Sequence, residues 1–272
     1  MSTPINGPMS RFTFVVALFC LLLSPLSGSG KQLVIMTGQW PPYVSSTMEN
    51  LGFTAEIVTR ACKAANLDVV IEFAPWPRCE AGVENGTIFA AFPYTRNDKR
   101  ETFAFFSKPI GSSKTLLLYN PQKHERISFQ RLQDLKPLLV GGVRGYFYQP
   151  LFEKAGLSVD YSETETACLK KLLYKRIDIA PINEFVGCSI IKTEFTGSQD
   201  RFAACAKPLS IDPLSLMVSK KHPGNALLLK KFNHGLATIM NNGVYRSILN
   251  RQETFGRKGC PFLQPGKDIE PR

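Results

Sequence analysis

Metal-ligand spacing is missing from this 272-residue chain: it holds no CxxC pair, and its three histidines, His124, His222 and His234, lie far apart. Both absences argue against a zinc site. Signature loops of several enzyme classes are missing as well. No GxSxG, Walker loop, GxGxxG or HExxH occurs, and GGVRG (141–145) spaces its glycines wrongly for a dinucleotide loop. The sequence therefore calls for no metal and no cofactor.

Long hydrophobic runs are scarce. The run FTFVVALFCLLL (12–23) follows Arg11, the one charge before Lys31, and gives way to SPLSGSG. Twelve residues fall short of the roughly 20 that span a bilayer. A positive start, a short apolar stretch and a small-residue exit predict a secretory signal over residues 1–30, cleaved around Ser27–Gly30, and a periplasmic protein. Phe19 stands where a lipoprotein would need a small residue before Cys20.

Six cysteines follow the signal: Cys62, Cys79, Cys168, Cys188, Cys205 and Cys260. An even count in an oxidising compartment favours disulfides, with every connectivity open. The net charge is +11, but lysine and arginine are spread along the chain rather than gathered into a tail or an RNA-binding motif. That distribution predicts a basic solvated surface and no nucleic-acid partner.

The apolar content of 44% is enough for real cores. QLVIMT (32–37), VVIEFA (69–74), IFAAF (88–92), KTLLLY (114–119), LLVGGV (138–143), IDIAPI (177–182) and LSLMVS (214–219) read as strands. Helical spacing appears over 52–67, 146–155, 183–193, 225–241 and 244–251, and in PWPRCEAGVENG (75–86), opened by proline and closed by Gly86. The charged run from Arg96 to Glu101 reads as a loop, and Ser128 is expected to cap a short helix through Lys136. Ser162-Glu-Thr-Glu165 reads as a capping box for the helix carrying Leu169, Leu172 and Leu173. Strands alternating with helices predict an α/β protein with mainly parallel sheets, in two blocks that separate near Gly111–Ser113.

In this order, GQWPPY (38–43), GFTAEIV (52–58), PWPRCEAGVENG, TRNDKRETFAFFSKPI (95–110), LKKLLYKRIDIAPINE (169–184) and NNGVYRSIL (241–249) resemble the type 2 periplasmic solute-binding proteins of family 3, which serve polar amino acid ABC transporters. The resemblance implies a two-lobe α/β fold with two hinge-crossing strands. It gives residues 31–111 plus 219–272 as lobe one and 112–218 as lobe two. It implies a non-enzymatic receptor that closes on a small carboxylate-bearing solute and presents it to an inner-membrane ABC permease. Two alternatives stay open: an enzyme on the same fold, similar to the cyclohexadienyl dehydratases, with Glu184 or Glu101 as acid, or a sensor acting in trans on a membrane kinase.

Family members carry a carboxylate-clamping arginine five residues after a hydroxyl, just before an F-S-x-P run. Here those residues are Arg100, Thr95 and Phe106–Pro109, which leaves Arg96 outside the pattern. A guanidinium suits the task because two parallel charge-assisted hydrogen bonds fix position and angle. By the same resemblance Trp40 and Tyr43 form aromatic walls. Trp76 and Arg78 either reach the cleft rim or pack the lobe. Lobe two departs from the pattern. Asn183, followed by Glu184, stands where members place an aspartate for the ligand ammonium. Gly145-Tyr146 stands where they place a glycine and a hydroxyl. Within two lobes, the cysteines suggest Cys62–Cys79 and Cys188–Cys205 pairs. Cys168 and Cys260 are then left to bridge the lobes or stay free.

Overall fold

A computed structural model describes residues 32–257 together with Cys260 and Phe262. The expected signal segment, 1–30, lies outside the described residues. Among the described residues, no helix is long and apolar enough to cross a membrane.

The first half runs β1 (Leu33–Thr37), α1 (Phe53–Ala64), β2 (Val69–Phe73), α2 (Trp76–Asn85), β3 (Ala90–Tyr94), α3 (Asp98–Phe103) and β4 (Ala104–Phe106). β5 (Gly111–Tyr119) leads to β6 (Val140–Val143), α4 (Gln149–Ala155), β7 (Val159–Ser162), α5 (Glu165–Leu173), β8 (Ile179–Asn183), α6 (Glu184–Glu194) and β9 (Ala203–Ala204). The long β10 (Ser210–Ser219) returns the chain to α7 (Asn225–Asn241) and α8 (Val244–Arg257).

Strand order is β2-β1-β3-β10-β5-β8-β6-β7. β1 runs parallel to β2 and β3, and β6 runs parallel to β7 and β8. The middle is antiparallel. Ser210–Leu214 of β10 pair with Gly111–Thr115 of β5, and from Ser215 onward β10 pairs with β3 and β4. The far end of β5, Thr115–Tyr119, pairs with β8. β5 and β10 thus cross together between the two parallel blocks, as the fold expectation requires.

Strand alternation sends side chains to separate cores. Ile35 of β1 joins Val58, Phe232 and Leu236 from α1 and α7, while Val34 and Met36 pack on the other face with Cys79 and Val83 of α2. In β5, Leu116 and Leu118 pack with Leu169 and Leu172 of α5, whereas Leu117 and Tyr119 pack with Leu135 and Phe152. Gly235 lets α7 approach α1 closely, since a Cβ there would stand 2.1 Å from the Ala61 carbonyl oxygen.

Three local expectations are corrected. The Ser128 helix shrinks to one 3₁₀ turn, Leu132–Leu135. The cap of α5 is Thr164, whose hydroxyl accepts from the Ala167 N–H at 3.1 Å. Ser162 instead ends β7, so its backbone is already committed to the ladder and cannot open a helix. The third concerns the charged stretch after β3, read from sequence as a loop: it forms α3, with the Asn97 side chain accepting from the Arg100 N–H at 2.8 Å.

The cysteine expectation is also corrected. Cys188 bonds to Cys260, and Cys62, Cys79, Cys168 and Cys205 are buried free thiols. Opposite faces explain this. Cys62 lies in the α1/α7 core and Cys79 in the α2 core. Cys205 packs with Leu135 and Phe152, away from the face where Ile191 of α6 is buried.

Candidate functional site

A cleft of about 700 Å³ lies at the C-terminal ends of β3 and β8, against the β5–β10 crossing. Its first wall comes from α2, β3 and α3. Trp76, Glu80 and Glu84 fall at i, i+4 and i+8, so one helix face presents all three. Arg78 sits about 200° round that helix from Trp76. It is exposed and outside the lining, against the expectation that it reaches the rim. Trp76 lies against Gly38, where a Cβ would be 2.3 Å from the indole. Tyr94 meets Trp76 edge to face at 5.6 Å and donates its hydroxyl to the Trp76 carbonyl at 3.0 Å.

Arg100 enters this wall from α3. Its Nε and Nη2 each donate to Glu80 Oε2 at 3.1 Å, and Nη1 donates to the Thr95 carbonyl at 3.0 Å. Its guanidinium carbon stands 4.8 Å from the Tyr94 ring centre, and the Thr95 hydroxyl is 3.4 Å from Nη1. The side chain is 21% exposed, and Nη2 keeps an N–H free for a further acceptor. Arg96 behaves differently: it pairs with Glu101 at 3.1 Å, with both side chains largely in solvent.

The floor joins the two halves. Reciprocal backbone hydrogen bonds between Trp40 and Val44 close the GQWPPYV loop, and Trp40 stacks on Tyr43 at 4.3 Å. Trp40 lines the cleft, while Tyr43 is buried behind it. Asn183 caps α6, its carbonyl oxygen accepting from the Phe185 and Val186 N–H groups at 3.1 Å. Its amide nitrogen donates to Tyr43 Oη at 3.1 Å and Ser113 Oγ at 3.0 Å. The amide is thus fully committed within the protein. Glu184 pairs with Lys114 at 3.4 Å and is not in the lining, so it does not stand in for a cleft carboxylate.

The second wall is aromatic: Tyr146, Phe147 and Tyr148, from the turn before α4. Gly145 holds φ +75° in that turn, and its N–H is taken by Gln149 Oε1 at 3.1 Å, so it is a hinge of the turn rather than a ligand donor. Facing these rings is Glu165, the first residue of α5. Burial pushes its carboxyl above the usual range, and a hydrogen bond with the Tyr146 hydroxyl partly offsets that. Asp212 of β10 also reaches the cleft and accepts from Ser210 Oγ at 2.8 Å.

Sequence reasoning missed Glu80, Glu165 and Asp212. Helical spacing from Trp76 was a usable signal for Glu80; nothing local marked the other two. No group of three or more potential metal ligands occurs among the described residues.

Solved structures share this architecture. The arginine-, lysine-, histidine-binding protein ArtJ from Geobacillus stearothermophilus is 19% identical, covering 82% of this chain and 95% of its own, with a TM-score of 0.61. The GluR0 ligand-binding core from Nostoc punctiforme, solved with L-glutamate, is 17% identical over 81% of this chain and 98% of its own, TM-score 0.62. A histidine kinase sensor domain with similarity to periplasmic binding proteins is 18% identical over 82% and 96%, TM-score 0.65. A search of curated proteins gave no match. The sequence profile of the bacterial extracellular solute-binding proteins, family 3, matches residues 33–252, and the chain belongs to that family.

Proposed function

We propose that this chain is a periplasmic receptor that captures an amino acid or related carboxylate-bearing solute in the cleft and delivers it to an ABC permease. The observation that carries this reading is Arg100. It is a mostly buried guanidinium at the cleft wall, oriented by Glu80 and Thr95 and backed by Tyr94, with an N–H left for an incoming acceptor. A carboxylate meeting it in a water-poor cleft gains a charge-assisted hydrogen bond from that N–H, and Trp40 and Trp76 cover the solute's body. Lobe one, 31–111 with 219–272, would close on lobe two, 112–218, by bending where β5 and β10 cross. Structural neighbours that bind arginine, lysine and histidine or glutamate support the amino acid class.

Thermal shift on the chain without residues 1–30 tests this, with amino acids, dicarboxylates, keto acids and polyamines at about 1 mM. A micromolar ligand then stabilises by about 4 kcal/mol, or roughly 8–16 °C. Arg100→Ala abolishes the shift and Arg96→Ala leaves it intact. A full shift in Arg100→Ala overturns the assignment.

The dehydratase alternative loses Glu101, which pairs with Arg96 in solvent, and Glu184, but finds a raised-pKa carboxyl in Glu165. Turnover of prephenate or arogenate would favour it. Saturable binding without turnover rejects it.

A further inference from the structure

The cleft is acidic in a basic protein. Among the described residues its lining holds four carboxylates, Glu80, Glu84, Glu165 and Asp212, against two cations, Lys99 and Arg100. Both cations serve Glu80, Arg100 at 3.1 Å and Lys99 at 3.6 Å. Asp212 has a hydroxyl partner and Glu84 is exposed. Glu165 is the carboxylate that is both removed from water and without a cation among the described residues. Its neighbour is the Tyr146 hydroxyl, and beside it Tyr146, Phe147 and Tyr148 cluster with ring centres 5.3 and 5.5 Å apart. A carboxylate in a cleft wall shared with aromatic rings is a good receptor for an ammonium or guanidinium, because charge and ring quadrupole attract the same cation.

Resting on the carboxylate role proposed for Arg100, we propose that Glu165 receives the positive end of the solute. The cleft then selects a solute with an ammonium or guanidinium besides its carboxylate. Asn183 cannot do this, since both its amide N–H groups and its carbonyl are engaged by Tyr43, Ser113 and the α6 backbone. Glu165 lies on the opposite wall from Arg100, so solute polarity runs across the cleft and closure brings both charges to it at once.

Titration calorimetry tests this with the twenty common amino acids, agmatine as an amine without a carboxylate, and glutarate as an acid without an amine. Glu165→Gln keeps the shape and loses the charge. It is expected to weaken an amino acid hit at least tenfold, while Glu163→Gln, at an exposed carboxylate outside the lining, changes it less than twofold. The unliganded melting temperature of Glu165→Gln is expected to hold or rise, because a desolvated charge is removed, so lost binding is not lost folding. Unchanged affinity in Glu165→Gln overturns the inference, as does a panel in which no amine binds or glutarate binds as tightly as L-glutamate. Binding that needs Glu165 but survives Arg100→Ala keeps this inference and rejects the carboxylate reading.

Discussion

Asn183 and Tyr43, 140 positions apart, meet through a 3.1 Å hydrogen bond from the Asn183 amide to the buried tyrosine hydroxyl. The tyrosine stacks on Trp40, so the cap of α6 also holds the aromatic floor of the cleft. Asn183→Ala removes an N-cap worth about 1 kcal/mol and leaves two buried hydroxyls short of a donor at about 1 kcal/mol each. A loss of about 3 kcal/mol in urea unfolding is expected, against about 1 kcal/mol for Tyr43→Phe, which keeps the stack. Equal losses would mean the tyrosine bond alone matters.

Gly235 is where α7 and α1 touch backbone to backbone. Gly235→Ala forces the helices apart and is expected to cost about 1–3 kcal/mol in the same assay, although alanine is the better helix former. A stabilised variant would show that the helices can separate freely.

Asp178 accepts from Lys123 at 2.6 Å, His124 at 2.7 Å and the Leu139 N–H at 2.7 Å. Partial burial disfavours its charge, but these hydrogen bonds outweigh that and hold the carboxyl down at about 2. A folded pKa below the unfolded one means the stabilisation is complete above pH ~4 and is lost as pH falls through 2. Wild type is therefore expected to lose about 2 kcal/mol more than Asp178→Asn between pH 5 and pH 2. Parallel pH–stability curves would contradict this.

The Cys188–Cys260 bond closes a separation of 72 residues and ties the chain beyond α8 to α6. Chain entropy alone puts its worth at about 4 kcal/mol. Reduction, or Cys260→Ser, is expected to lower the melting temperature by roughly 8–16 °C. Peptide mapping without reductant should recover the 188–260 crosslink, and a 188–205 crosslink would restore the pairing expected from spacing.

Local chemistry made much of this molecule legible in its sequence. Apolar runs and helical spacing marked most strands and helices because burial of one face imposes those periods. The family resemblance carried by the run from Thr95 to Ile110, not local chemistry, singled out Arg100, which the fold places in the cleft wall. The charged run from Asp98 read as a loop, since six residues are too few to show a helical period.

Tertiary structure decided what depends on facing elements. Glu184 follows Asn183 directly, yet the turn of α6 delivers it to Lys114 and away from the cleft. Arg78 and Glu80 are two positions apart, and the helix sends one to solvent and the other to Arg100. Glu165 became a cleft residue because β7 places the start of α5 across from β3, and Cys188 met Cys260 because α6 packs beside α8, where Lys192 donates to the Phe255 carbonyl. Periodicity is a property of one segment. Which charges and thiols meet is set by how sheets stack helices from distant parts of the chain, and that information is non-local.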